Sequence, residues 1–300
     1  MDTNPSESDA SATGRIVFHR SQDGLRLAAR VFDAAGAERP PLLCLPGLSR
    51  NSRDFLRLGE FFSRHPIEPR KVVALDCRGR GLSEADPDWR NYTPLIEAQD
   101  VMAAAAMLGI KESVLVGTSR GGIIAMLLGA LRPGLIAGVV LNDIGPVIES
   151  AGLARIKTYL TTKRSVSTWD AAVALVRESA GARFPALTDA DWRAFAEAYF
   201  APTEAGALEP QYDPNLARSF SGGDPAEQTP ALWPQFESLA SVPVLAIRGE
   251  FSDILSAPTL REMAARHPDF EQLTVTGQGH PPLLRDAATL EVILAFARRC

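Results

Sequence analysis

Short, continuously apolar runs separated mostly by helix-length segments, a hairpin pattern ahead of them and one long interruption near mid-chain predict an α/β protein. The expected form is a mostly parallel, eight-stranded type of sheet with helices on both faces and an inserted helical cap. The runs are "PLLCLPG", "KVVALDC", "SVLVGTS" and "GVVLNDIG". A strand covered on both faces loses the alternation of apolar and polar residues, because neither face meets water. Parallel pairing follows from the helix-length connections.

The elements can be justified in chain order. Residues 1–14 have the small, polar composition of a disordered tail. "RIVFHRSQDGLRLAARVFD" reads as two strands turning at Asp23-Gly24, a dipeptide that tolerates the positive φ of a tight hairpin. Thr93 and Pro94 supply a cap and a first-turn proline for the helix "LIEAQDVMAAAAMLGI", and Gly109 ends it. After Asn142 and Asp143 the alternation lapses for roughly a hundred residues, too long for a connection, so residues 146–240 are expected to form the cap. Its helices are "IESAGLARIKTYL", "TWDAAVALVRES" and "TDADWRAFAEAYF", the last opening with Thr188 and Asp191 at capping-box spacing; the tract "SFSGGDPAEQTP" is loop-like. Alternation resumes at "VPVLAIRGE", continues through "APTLREMAARH" and "FEQLTVTG", and closes with a helix from about Thr289. The core domain is thus 15–145 together with 241–300.

Composition limits what such a protein does. A formal net charge of -5 and the lack of a Lys/Arg block argue against nucleic-acid and anionic-membrane partners, and 46% hydrophobic content suits a large globular core. The acidic N-terminus lacks the positive-then-apolar pattern of a signal peptide, so a cytoplasmic monomer or homodimer is expected. Cys44, Cys77 and Cys300 have neither metal nor disulfide spacing and read as free thiols. No cofactor and no metal is expected.

The chemistry is concentrated in "VLVGTSRGGIIA". Gly117 and Gly121 flank Ser119 where a sharp strand-to-helix turn would crowd a β-carbon, and Gly122 lets the next helix start against the sheet. The turn exposes the Ser119 hydroxyl at the sheet's carboxyl edge, beside the positive end of a helix dipole. A serine needs a base and a group to orient it. Of four histidines, His19 lies in the first hairpin, while His65 and His267 precede prolines at helix ends where solvent exposure is expected; His280, in "GQGHPPLL" after the last strand, is the candidate base. Asp253, after the strand preceding that of the histidine, is the expected acid, with Asp143 as alternative acid and Glu250 as support for the loop. The backbone N–H groups of Arg120 and of Leu48, the latter freed by the Pro46-Gly47 turn, would form the oxyanion hole.

These residues resemble the α/β-hydrolase superfamily, in particular its cap-bearing esterases, enol-lactonases and carbon–carbon bond hydrolases, from about residue 24 to 297. "VVALDCRGRGLSE" is similar to that superfamily's Asp-x-Arg-Gly-x-Gly-x-Ser loop, carried here by Asp76, Arg78, Gly79, Gly81 and Ser83. Glu84 stands where a dinucleotide loop would place a third glycine, so the loop is expected to be structural. Many relatives have His-Gly where this chain has Pro46-Gly47, which keeps the backbone donor. Carbon–carbon bond hydrolases commonly carry an aromatic residue after the histidine, where Pro281 stands here, and Ser119 argues against the aspartate-nucleophile dehalogenases and epoxide hydrolases.

The resemblance implies a cofactor-free serine hydrolase acting on a small-molecule ester or lactone, with carbon–carbon cleavage and a non-catalytic ligand-binding receptor as alternatives. Over the carboxyl ends of the strands the cap would set specificity. Trp169, Trp192, Tyr199 and Trp233 are candidate apolar pocket residues, with Phe195, Phe200, Tyr212 and Phe236 beside them. The Arg120 guanidinium would hold a substrate carboxylate if it turned inward or join a salt bridge if it turned away, and Arg50 and Arg53 are weaker candidates of the same kind.

Overall fold

A computed structural model describes residues 13–162, 164–220 and 230–300. Residues 1–12 of the polar tail and 221–229 of the loop-like tract lie outside the described residues.

The chain opens with β1 (Arg15–Arg20) and β2 (Arg26–Phe32), antiparallel around a turn in which Gly24 has φ +94°. Then follow β3 (Leu42–Leu45), α1 (Leu56–Ser63), β4 (Val72–Asp76), α2 (Pro94–Met107), β5 (Ser113–Thr118), α3 (Arg120–Leu131) and β6 (Ile136–Asn142). The Thr93 hydroxyl accepts from Ile96 N–H at the start of α2, as its capping position requires. After the insertion come β9 (Val244–Gly249), α8 (Ala257–Arg266), β10 (Phe270–Val275) and α9 (Ala287–Ala297). The eight strands pair in the order β1-β2-β4-β3-β5-β6-β9-β10. β2 is antiparallel to both neighbours, and every pair from β4 to β10 is parallel.

Alternate side chains of the buried strands sort onto two layers. Leu43, Leu45, Leu75, Leu115, Leu141 and Ala246 pack with Ala98 and Val101 of α2 and Ile124 and Leu128 of α3. Leu42, Cys44, Val116, Val140 and Ile247 face the opposite way, against Leu58 and Phe62 of α1 and Ile293 and Phe296 of α9. Period-two alternation with helices on both faces accounts for runs that are apolar at every position.

The insertion holds α4 (Ser150–Thr161), α5 (Trp169–Ala180), α6 (Asp189–Tyr199), a two-stranded antiparallel ribbon β7 (Phe200–Pro202) and β8 (Leu208–Pro210), and the short α7 (Trp233–Glu237). The capping box of Thr188 and Asp191 is formed. Phe184, Trp192, Ala196, Tyr199, Phe200 and Leu208 give the cap a core of its own. Ile156 and Leu160 of α4 and Phe236 of α7 instead join the main core, so both ends of the insertion are rooted in the sheet layer. The ribbon was not expected from sequence: each strand is three residues long, too short to show a period. An isolated bridge between Arg80 and Tyr212, flanked by hydrogen bonds from Gly81 N–H to Gln211 O and from Asp213 N–H to Gly79 O, ties the cap to the loop after β4.

That loop is structural, as its sequence suggests. The Asp76 carboxylate accepts from the N–H groups of Ser52 and Leu82, and a β-carbon on Gly81 (φ +57°) would lie 2.4 Å from that carboxylate. The three cysteines are free; Cys44 and Cys77 are buried, and burial pushes the Cys77 thiol up to about 12. No helix among the described residues is long and apolar enough to cross a membrane, and none of their His, Cys, Asp and Glu side chains cluster as a metal site.

Candidate active site

Ser119 sits between β5 and α3 at φ +51° and ψ −113°, a conformation that costs a residue with a β-carbon about 1–3 kcal/mol. The turn holds because its neighbours carry no side chain. A β-carbon on Gly117 would lie 2.6 Å from the Gly121 carbonyl oxygen, and one on Gly121 would lie 2.1 Å from that of Leu45.

His280 closes on the serine from the loop after β10, its Nε2 2.9 Å from Ser119 Oγ. Its Nδ1 lies 2.7 Å from Asp143 Oδ2. A carboxylate can only accept, so Nδ1 carries the proton and Nε2 is left to accept from the serine hydroxyl. Asp143 is fully buried and takes further hydrogen bonds from Gly249 N–H (2.8 Å) and Ser252 Oγ (2.6 Å).

The carboxylate on the imidazole is therefore that of Asp143, not of Asp253 as the strand order suggested. The cause lies in the sheet: β6 is the immediate neighbour of β5, Ser119 N–H donates to Asn142 O at 2.9 Å, and the next residue is Asp143. Asp253 turns outward to the cap, where Arg155 of α4 grips it through Nε (2.6 Å) and Nη2 (2.7 Å). Close approach there depends on Gly152, whose β-carbon would lie 2.4 Å from Asp253 O. Burial would raise the Asp253 carboxyl, but Arg155 outweighs it and holds the group below its ordinary value. Glu250 supports the loop as expected, accepting from Gly277 N–H.

The other histidines serve local structure. His65 Nδ1 accepts from Glu68 N–H; His267, expected at the surface, is buried with Nε2 on Leu239 O; His19 is buried, and burial lowers its pKa.

Beside the serine, Leu48 N–H and Arg120 N–H donate to no protein acceptor among the described residues. A β-carbon on Gly47 would come within 3.9 Å of Ser119 Cβ, which places the Pro46-Gly47 turn against that serine. The Arg120 side chain turns away from the substrate side, with Nε on Glu97 at 2.7 Å and Nη2 on Tyr92 O at 2.9 Å. Glu97 also pairs with Arg80 (2.8 Å), whose Nε donates to Leu48 O at 2.7 Å. One buried carboxylate thereby ties the elbow to the loop that presents Leu48.

Over Ser119 and His280 lies a cavity of about 340 Å³ between sheet and cap. Of the aromatic candidates, Tyr199 and Phe195 line it. Trp192 is packed into the cap core, Trp169 lies beside that core with Arg193 over its ring, and Trp233 sits against Phe236 with Arg266 over its ring, because each finds a larger apolar or cationic neighbour away from the cavity. Tyr212 packs on Tyr199, and Phe200 and Phe236 are buried. Arg50 reaches the cavity while pairing with Asp54; Arg53 lines the adjoining cavity of about 300 Å³, on the far side of Phe195. Sequence reasoning misses Arg155, Tyr159, Arg164 and Arg183 on the cavity wall. The four-residue spacing of Arg155 and Tyr159, which puts both on one face of α4, is the signal that could have found the first two.

The chain matches the model of the alpha/beta hydrolase family over residues 42–292. It is 32% identical over 294 residues to a 3-hydroxybutyrate-oligomer hydrolase of Cupriavidus necator, covering 95% of this chain and 98% of that protein. To a 2-(acetamidomethylene)succinate hydrolase of Mesorhizobium japonicum it is 28% identical over 246 residues, 80% of this chain and 81% of that one. Among solved structures, an alpha/beta hydrolase of Novosphingobium aromaticivorans matches with a TM-score of 0.89 at 37% identity, over 96% of this chain and 99% of that one. With the serine elbow, the sheet order and the cap all in place, the chain belongs to the α/β hydrolase family, and its activity is hydrolysis of a carboxylic ester or a related bond.

Proposed function

We propose that the protein cleaves a carboxylic ester of a small to medium, partly apolar substrate through an acyl-enzyme, with Ser119, His280 and Asp143 as its triad. The observation that carries this reading is the unbroken hydrogen-bond chain from Ser119 Oγ through His280 to a buried Asp143. His280 Nε2 takes the hydroxyl proton as Ser119 Oγ attacks the carbonyl carbon. The Asp143 carboxylate stabilises the imidazolium that results. Leu48 N–H and Arg120 N–H, free of other acceptors, take the developing oxyanion. His280 then protonates the leaving alcohol, and the same imidazole deprotonates the water that releases the acid. A lactone differs in that its leaving alcohol stays attached, so the same groups serve it. The relative named for 3-hydroxybutyrate oligomers makes short hydroxyacid oligoesters the natural substrates to assay alongside p-nitrophenyl esters.

The test is intact-protein mass after exposure to a fluorophosphonate, together with ester turnover. A single adduct on the parent, missing from Ser119→Ala, supports the reading; a folded parent without adduct or turnover rejects it. The same assay separates the acids. Asp143→Asn should lower kcat by about 10³–10⁴-fold, whereas Asp253→Asn should leave kcat within about tenfold; equal losses would reject the assignment of Asp143.

A further inference from the structure

Four arginines face the cavity over Ser119, and no Asp or Glu is among its described lining residues. Two of the four are neutralised from behind: Arg50 by Asp54 and Arg155 by Asp253. Arg164 and Arg183 form no ion pair with any carboxylate among the described residues. Their Nε atoms and Arg50 Nη1 are buried without a hydrogen-bond partner among those residues. A buried guanidinium N–H left without an acceptor is costly, and three such groups on the wall of one cavity favour a bound acceptor such as an anion. Charges around Arg183 also act on it: burial, then the positive charge of Arg155, hold it below its ordinary pKa against the smaller opposing pull of the Asp253 carboxylate, with which it forms no ion pair. Tyr159, Tyr199 and Phe195, with Ile156, Val176 and Phe184, give the wall its apolar part, which suits a short aliphatic body between the charged end and the serine.

Resting on the serine-hydrolase reading above, we propose that the substrate is an ester carrying a free carboxylate, received by Arg164 and Arg183 on the cap. A guanidinium presents a planar pair of donors that matches a carboxylate. These residues would therefore select the substrate while taking no part in bond cleavage.

The experiment compares esters matched in length, one neutral and one anionic: p-nitrophenyl butyrate with p-nitrophenyl hemisuccinate for a charge on the acyl side, and the butyrate esters of 2-butanol and 3-hydroxybutyrate for a charge on the alcohol side. In the parent, kcat/KM for the anionic member of at least one pair should exceed that of the neutral member by about tenfold or more, the size of one charge-assisted hydrogen bond. In an Arg164→Met/Arg183→Met double variant that preference should vanish through a raised KM, with kcat and neutral-ester turnover within about threefold of the parent. Equal turnover of both members in both pairs, or a variant that slows neutral and anionic esters alike, overturns the proposal and leaves the serine reading intact. A readout independent of turnover is the thermal shift of Ser119→Ala with glutarate: a saturable rise in Tm that is absent when both arginines are also replaced supports the site, and no rise in Ser119→Ala counts against it. Loss of the fluorophosphonate adduct in the parent, by contrast, would strike the serine reading itself.

Discussion

Two groups of arginines lie on opposite sides of the Leu48 loop. Arg78 and Arg80 are about 1% exposed, and Arg120 lies beside them. Arg78 meets Asp23, Asp86 and Asp100, while Arg80 and Arg120 share Glu97. Across the loop, Arg164 and Arg183 line a cavity without a carboxylate partner among the described residues. Arginine is thus paired with carboxylates where it holds the fold and left without one on the cavity wall, although Arg80 Nη2 is likewise buried without a hydrogen-bond partner among the described residues. A guanidinium whose charge is already spent in a buried network has nothing left for a ligand, which is why Arg120, next to the nucleophile in sequence, is not the residue that faces the cavity.

The contrast should appear first in stability. Arg78→Met leaves buried carboxylates without their cation and should cost about 3–5 kcal/mol, read as a lower urea midpoint; Arg164→Met should change it by no more than about 0.5 kcal/mol. If the two variants unfold alike, the division between the groups is wrong. Smaller, about 2–3 kcal/mol, is the expected loss for Glu97→Gln, which keeps the shape but removes the charge shared by Arg80 and Arg120. Because Arg80 also holds Leu48 O, this variant should lower kcat as well, and an unchanged kcat would show that the Leu48 loop stands without it.

The smallest effect concerns pH. Asp253 has a folded-state pKa below its usual 3.8, so its contribution is full above that value and is lost as pH falls through the folded pKa. The difference in urea midpoint between the parent and Asp253→Asn should stay constant from about pH 5 to about 7 and shrink below about 4. A difference growing toward acid pH would mean that Arg155 does not hold the carboxylate charged.

Much of this was legible in the sequence, and the division is physical. The elbow is legible locally: glycines at 117, 121 and 122 mark the close approaches that the Ser119 turn requires, although those of Gly121 and Gly122 are to Leu45 and Ile144. His280 follows from position, since the loop after the last strand opens at the same sheet edge. The acid was harder, because Asp143 and Asp253 both follow strands at that edge, and the choice depends on sheet order: β6, not β9, is the neighbour of β5. No run of letters announces that Arg155 will take Asp253. The aromatic residues failed for a related reason: Trp169, Trp192 and Trp233 have the composition of a pocket wall, yet a large ring finds more contact inside a helical cap or against the core than on an open wall.

The position of Asp143 has a consequence for how such a protein changes over time. With the carboxylate behind the imidazole on β6, Asp253 is released from that duty and its side chain latches the cap instead. On the proposed triad, cap and chemistry then draw on different acids. On that reading the cap can be redrawn residue by residue through the Arg155–Asp253 clasp without touching the proton path beneath. Under the proposed mechanism, substrate preference would then drift while the reaction is inherited unchanged.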